Sequence, residues 1–568
     1  MRRLNVVLIL VACILLMWIL RPTSALRTGA DGDAPEATHA SGVVVFDLID
    51  DTPLSDIEAL ERDLGIDLEY SSDVSEDEAL LRAEVDDVAA IVAAAQGNAL
   101  VEVVEPVVEF EVSGYPNDPM WDQQWNMEMI DTPAGWRAGG GKGVKVAVID
   151  TGVTWVEDLE GIPMGPGKSF VPFVKKPIDD HGHGTHVAGT IAQVTNNGKG
   201  VAGVAPNVTI MPYKALSKHG FGSSDWIAAA IDHAVDNGAD VINMSLGGSH
   251  SGVLHNAAEK AADAGVVVVI AAGNSGRKGV GCPAHGDNVI GVSAVGPDDS
   301  KAYYSSWGKG VEIAAPGGDT RKSDGGILQD TIDGSGGHKY AAFQGTSMAT
   351  PHVAGAAAVL LGMGLDAEST TDVLFKTAED KGDEGFDEIY GHGRLDVGAA
   401  VRRVLVRSNG LKFVLGGLMA IALVMLSRFR GSQSIPMVGA AALSAGGLFF
   451  LPLLPIPPNP VVEVLSRDLL SLPAVVVGAD WVHFPLWASA LLPAVLAFLL
   501  GPSKRFGPIV AGICVGFGTS LLYGAASGTL DVWWLGMGLD KVWLSLNGTA
   551  CLLAAMAVVG LHKLERPS

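Results

Sequence analysis

Four polar residues lie beside glycines in short motifs along the middle of the chain. Asp150 sits in Val148-Ile149-Asp150-Thr151-Gly152-Val153, and His183 in His181-Gly182-His183-Gly184-Thr185-His186-Val187-Ala188-Gly189-Thr190. Asn274 sits in Ala271-Ala272-Gly273-Asn274-Ser275-Gly276, and Ser347 in Gly345-Thr346-Ser347-Met348-Ala349-Thr350-Pro351. Together these side chains could carry out acyl transfer. A serine hydroxyl is a weak nucleophile near neutral pH, so a neutral imidazole must take its proton during attack on a carbonyl and then deliver it to the leaving amine. A carboxylate holds the imidazole in the useful tautomer and stabilises the imidazolium. A side-chain amide and a backbone N–H can donate to the developing oxyanion.

These residues need elements to hold them. The run from Met348 to Leu361 is small and apolar, which predicts a buried helix with Pro351 in its first turn and Ser347 at its N-terminus. Unpaired N–H groups and the positive dipole end favour negative charge there. Taken alone, Gly-Thr-Ser is more often a plain N-cap, so the nucleophile depends on partners elsewhere. The β-branched runs Val144–Ile149, Val208–Ile210, Val241–Met244 and Val266–Ile270 predict strands, and helical stretches at Trp226–Asn237 and Gly252–Ala264 alternate with them. Such alternation indicates a parallel sheet covered by helices on both faces, with ligands bound outside the carboxyl ends of the strands.

With these motifs in that order, the chain resembles the subtilisin-like serine peptidases, the subtilases. The likeness covers about Asn117 to Val401 and includes Ser245-Leu246-Gly247 and the closing stretch Tyr390-Gly391-His392-Gly393-Arg394-Leu395-Asp396. It implies Asp150, His183 and Ser347 as the triad and Asn274 as the oxyanion donor. It also implies that Ser245, Leu246 and Gly247 on one side, and Ala271, Ala272 and Gly273 on the other, hold an extended polypeptide substrate by β-augmentation. Val194 to Val201 resembles a family loop that binds calcium through the carbonyls of Val194, Lys199 and Val201 and the Asn197 side chain, with Asp118 and Asp158 at matching positions. Oxygen donors suit calcium, although a turn with solvated acids is the alternative. His186, His233 and His352 read as packing or surface residues and Asp179-Asp180 as a solvated turn. Cys282 reads as a buried inert thiol, with a reactive one as the alternative.

The expected organisation has five parts. Residues 1–26, with the apolar run Leu4–Leu20, form a cleaved signal peptide or a retained anchor, and 27–40 form a linker. Residues 41–114 form a small acidic α+β unit. Its place ahead of the catalytic domain implies an inhibitory propeptide, cut near Phe110 to Asn117. Residues 115–405 form the catalytic domain. Residues 406–568 form an all-α transmembrane domain, with apolar runs at Leu411–Ser427, Ile435–Leu454, Phe484–Leu500, Pro508–Gly528 and Val542–Leu561 suggesting five helices. Arg428, Arg430, Lys504, Arg505, Lys563 and Arg566 then fall on the inner side, which leaves the catalytic domain outside the cytoplasm on a multi-pass membrane protein.

Composition excludes some alternatives. A net charge of -25 without a basic patch argues against nucleic acid as a partner. Four cysteines with no C-x-x-C pair speak against a disulfide framework and a structural zinc site. The fold class expected is thus α/β, a subtilisin-like parallel sheet between an α+β propeptide and a transmembrane tail. The function expected is an autoprocessed serine endopeptidase on the lipid bilayer, with calcium as a candidate structural ion. A second reading makes the chain a membrane sensor or transport module with a protease-like binding domain.

Overall fold

The computed structural model describes residues 39–49, 52–71, 79–85, 87–108, 116–427, 433–451, 465–471, 488–527, 530, 532 and 539–564. The expected signal or anchor, most of the linker and residues 110–115 of the expected cleavage region lie outside them. The chain divides into two compact units, at residues 1–115 and 116–568.

The first unit runs β1 (His39–Leu48), α1 (Leu54–Leu64), β2 (Glu69–Tyr70), β3 (Leu80–Glu84), α2 (Val88–Ala95) and β4 (Val101–Val108). Its antiparallel sheet has the order β2-β3-β1-β4, the arrangement of a split βαβ unit. Val44, Phe46 and Leu48 alternate inward from β1 and pack with Ile57, Leu60, Leu81 and Ala83. Pro106 lies in the edge strand β4, where a missing backbone donor is tolerated.

The second unit opens with α3 (Trp125–Met129) and α4 (Thr132–Arg137). Then follow β5 (Lys145–Asp150), β6 (Lys168–Ser169), α5 (His183–Ala192), β7 (Thr209–Lys214), α6 (Ser224–Asp236), β8 (Val241–Met244), α7 (Gly252–Asp263), β9 (Val267–Ala271), β10 (Ile290–Val295) and β11 (Ile313–Pro316). These strands form one seven-stranded parallel sheet of order β11-β10-β9-β8-β5-β7-β6. Alternate residues of β5 enter different cores. Val146 and Val148 pack with residues of α5 and of α8 (Thr346–Gly362), while Ala147 and Ile149 pack with α6 and α7. Burial on both faces explains the nearly unbroken apolar strands. Strand order reverses at β5, with β7 on one side and β8 on the other, so the carboxyl end of β5 is the switch point where such sheets bind ligands.

A hairpin of β12 (Ile327–Ile332) and β13 (His338–Phe343) precedes α8, which leads to α9 (Ala367–Thr377) and α10 (Val397–Ser427). Pro351 is not in the first turn of α8 as expected but inside it, because the helix already starts at Thr346. A proline there removes the donor for the carbonyl four residues back, that of Ser347. Ser245 Oγ donates to that oxygen instead, at 2.8 Å.

The C-terminal region is all helical among the described residues. Helix α10 starts against the core of the parallel-sheet domain, where Val397 N donates to Ile130 O at 2.8 Å and Val401 joins the core, and it continues without a break into the apolar run. After it come α11 (Ser434–Gly446), α12 (Leu491–Leu500), α13 (Gly507–Ser527) and α14 (Leu539–Leu564). Three helical segments, Val397–Met425, Gly507–Ala526 and Leu539–Gly560, are long and apolar enough to cross a membrane, whereas α11 and α12 are shorter. Helix α13 packs on α11 through glycines: a Cβ on Gly512 would lie 2.3 Å from Met437 O, and one on Gly516 1.9 Å from Ser444 Oγ. Small residues of this kind let apolar helices approach closely. Lys412 reaches Asp468 at 2.9 Å, and that carboxylate is 1% exposed.

Candidate active site

Asp150 ends β5 and is fully buried. Its Oδ1 lies 2.8 Å from His183 Nδ1 and accepts the Thr151 N–H at 2.7 Å. His183 opens α5, and its side chain is 23% exposed, so part of the ring reaches the surface. The close approach needs glycine. A Cβ on Gly184 would lie 2.2 Å from Gly152 O, so a larger residue would push the start of α5 off the Asp150 turn.

Asp179 fixes that helix start, a role the sequence did not reveal. It is 4% exposed, not solvated as expected, because it accepts from Thr151 Oγ1, His181 N, Gly182 N, Thr185 N and Thr185 Oγ1 at 2.6–3.0 Å. A carboxylate at that end satisfies the unpaired N–H groups and the helix dipole. Asp180 pairs at 2.6 Å with Lys214, a fully buried lysine that also donates to Thr151 O at 2.5 Å. Burial opposes charge on the His183 ring. The Asp150 charge and hydrogen bond, joined by the Asp179 charge, outweigh it and raise the His183 pKa.

Within Thr346–Leu360 of α8, only Ser347 is not buried. Its Oγ donates to Ser245 O at 3.1 Å, which together with the Ser245 Oγ bond docks the helix start on the end of β8. Among the described residues no hydrogen bond joins Ser347 to His183, a contact that free enzymes often leave loose until substrate arrives.

Asn274 is oriented by Thr346, another partner the sequence did not single out. Asn274 Oδ1 accepts from Thr346 N at 2.9 Å and from Thr346 Oγ1 at 3.0 Å. The backbone donor requires an oxygen there, so the amide nitrogen faces the other way. A Cβ on Gly345 would be 3.5 Å from Asn274 Nδ2 and 3.6 Å from Ser347 N. Both donors thus border one small volume, left clear by the glycine at 345. An oxyanion there would meet two N–H groups.

The groove edges are placed by neighbouring strands. Ser245, Leu246 and Gly247 continue from β8, and Ala272 and Gly273 from β9, whose last residue is Ala271. Gly248 and Cys282 exchange backbone hydrogen bonds at 3.2 and 3.1 Å, and Gly281 N donates to Ala272 O at 3.0 Å, linking the two walls.

A model of the subtilase family matches residues 141–393. The chain is 40% identical over 317 residues to a thermophilic serine proteinase of Bacillus sp. (strain AK1), covering 55% of this chain and 76% of that one. It is 38% identical over 291 residues to thermitase of Thermoactinomyces vulgaris, covering 50% of this chain and 99% of that one. The chain belongs to the subtilase family. It is a serine-type endopeptidase. A solved protease from Pseudoalteromonas arctica PAMC 21717 aligns at a TM-score of 0.48 with 35% identity, over 51% of this chain and 99% of its own.

Two other histidines of the subtilase domain, His186 and His352, are held neutral. His186 stacks on Phe343 at 4.3 Å, and burial pushes its pKa down to about 3. His352 is likewise buried, with its pKa lowered to about 4.

The loop from Val194 to Val201 lies against two buried acids. Asp118 accepts from Asn196 N at 2.9 Å and Asn197 N at 3.4 Å, and Asp158 accepts from Asn197 Nδ2 at 2.7 Å and Val201 N at 2.9 Å. Burial raises both carboxyl pKa values, that of Asp158 to about 6. Among the described residues no hydrogen bond reaches the carbonyl oxygens of Val194, Lys199 or Val201. Uncompensated acids and unbonded carbonyls form an oxygen-only donor set that fits calcium. The Lys199 ammonium is no obstacle, since it pairs with Glu157 at 2.8 Å. Asn197 uses its Oδ1 to accept from Lys199 N at 2.8 Å, so joining the set requires its amide to turn.

Proposed function

We propose that the chain is a membrane-anchored endopeptidase that cleaves polypeptides outside the cytoplasm, with Asp150, His183 and Ser347 as its triad. The observation that carries this reading is the 2.8 Å contact of His183 with Asp150, set beside a helix N-terminus that presents Ser347 next to Asn274. Substrate lies extended between Ser245–Gly247 and Ala271–Gly273. As Ser347 Oγ attacks the carbonyl, His183 Nε2 takes its proton while Asp150 steadies the Nδ1 proton. Asn274 Nδ2 and Ser347 N donate to the oxyanion. His183 then protonates the leaving amine, and water repeats the sequence in reverse to free the acid.

Residues 41–114 are an inhibitory propeptide, removed by self-cleavage. Residues 115–405 are the catalytic domain, and 406–568 form a multi-pass anchor of about five helices. The three helices of spanning length and the run of α10 out of the catalytic domain support the anchor. Asp118, Asp158, Asn197 and the carbonyls of Val194, Lys199 and Val201 hold a calcium ion that, when bound, neutralises buried acid and stiffens the loop.

Labelling of membranes with a fluorophosphonate probe tests the reading. A shortened wild-type chain that labels, beside a full-length Ser347→Ala chain that does not, is the expected result. An unlabelled, full-length wild type in folded, calcium-containing membranes would overturn both the nucleophile and the self-processing.

A further inference from the structure

We propose that His250, His255 and Cys282, with the His285 ring beside them, bind a thiophilic divalent cation of the zinc type that braces the two walls of the substrate groove. One ligand atom from each of His250, His255 and Cys282 lies within 4.8 Å of the others. His285 Nε2 is 3.1 Å from His255 Nε2. Two imidazole nitrogens on one tetrahedral zinc, each at about 2.0–2.1 Å, would stand about 3.3 Å apart. His285 Nδ1 lies 3.4 Å from Gly281 O, and donation to that carbonyl would leave the Nε2 lone pair free toward the cluster. Metal-bound histidines are commonly oriented in this way.

The donor set separates this site from the oxygen loop around Asp158. Imidazole and thiolate suit zinc, whereas calcium takes oxygen. Binding would release the thiol proton to solvent, leaving Cys282 Sγ as thiolate with Ser251 N at 3.3 Å as its donor. His250 is exposed and offers an entry path. The ligands come from the loop after β8, from α7 and from the loop after β9, so no C-x-x-C signature announced them.

The location gives the site its consequence. Cys282 is paired to Gly248 by two backbone bonds, and His250 lies two residues beyond Gly248. A cation held there ties the segment leaving β8 to the one leaving β9, without touching Asp150, His183 or Ser347. Occupancy should therefore lower KM and leave kcat nearly unchanged.

The test uses the full-length detergent-solubilised Ser347→Ala chain, which cannot digest itself, titrated with Co2+ in excess calcium. One equivalent with tetrahedral visible bands and a thiolate-to-metal charge-transfer band is expected. Cys282→Ser should lose that band, and His250→Asn, at an exposed position, should weaken binding by at least about 10–100-fold. In the active chain, zinc added back after selective stripping should lower KM several-fold. Binding unchanged in both variants, an octahedral spectrum, or no stoichiometric uptake would overturn the site.

Discussion

Helices α8 and α13 look alike in sequence. Neither contains an acid, a lysine or an arginine, both are built from small and apolar residues, and both are central in their packing. In α13 the spanning window is 72% buried, against 17% for that of α10. Their polar groups behave differently. Thr519 and Ser520 of α13 close on carbonyls of its own turn and of α11, at 2.8 and 3.3 Å. Those at the start of α8 bond to the polar segments that follow β8 and β9, with Thr346 bonded to Asn274 and Ser347 to Ser245. Apolar composition thus sets burial, while the partners of a few hydroxyls, polar loop segments at α8 and neighbouring helices at α13, separate the two helices.

Substitutions at the two helices should divide accordingly. Asn274→Ala removes one oxyanion donor and should lower kcat by ~10²–10³, with KM little changed. Steady-state kinetics on a peptide substrate reads this directly. A comparable rise in KM would mean that Asn274 holds the ground state instead. Fractionation with the membrane should be unaffected.

Smaller effects, on stability, are expected from Ser245→Ala and Gly516→Leu. The first leaves the Ser347 carbonyl without the donor that replaces the missing N–H of Pro351, at a cost of about 1–3 kcal/mol. The second forces a side chain into the space held by Ser444 Oγ and Ala441 O, at about 1–3 kcal/mol or more. Thermal unfolding of the solubilised Ser347→Ala chain reports both losses. In the active chain Gly516→Leu should leave kcat intact, whereas Ser245→Ala should lower it. Equal effects on kcat would erase the distinction between the helices.

Sequence reading was strongest where one local pattern decides. The strands β5, β8 and β9 and the helices α6 and α7 follow from β-branched runs and helical spacing, and their positions agree within about two residues. Strands β10 and β11 went unread because Gly291, Ser293, Ala314 and Ala315 dilute the β-branched signal. The four motif residues could be named as candidates from the sequence, but their supports could not. Asp179, Lys214 and Thr346 act through hydrogen bonds to distant segments, which no spacing encodes. The expected border near residue 405 falls inside α10, because Arg402, Arg403, Arg407 and Lys412 change the charge of the chain without breaking a helix.

The smallest effect concerns pH and acts on one helix environment alone, since α13 has no acid, base or histidine. His183 must be neutral to accept the Ser347 proton, and its pKa is raised by the Asp150 charge and hydrogen bond and the Asp179 charge, against the opposing effect of burial. The acid limb of kcat/KM should therefore lie above the ordinary imidazole value of about 6.5. His186 and His352, with pKa values of about 3 and about 4, are neutral throughout and do not shape it. Stability responds with the opposite sign. A raised folded-state pKa stabilises the fold fully below the unfolded value, and this contribution is lost as pH rises through the folded one. Activity should thus rise over the interval in which that contribution disappears. Asp179→Asn removes one of the raising charges and should move the limb to lower pH in a pH series of kcat/KM. A limb unmoved by Asp179→Asn, or one below the ordinary histidine value, would mean that burial and not the carboxylates sets the His183 charge.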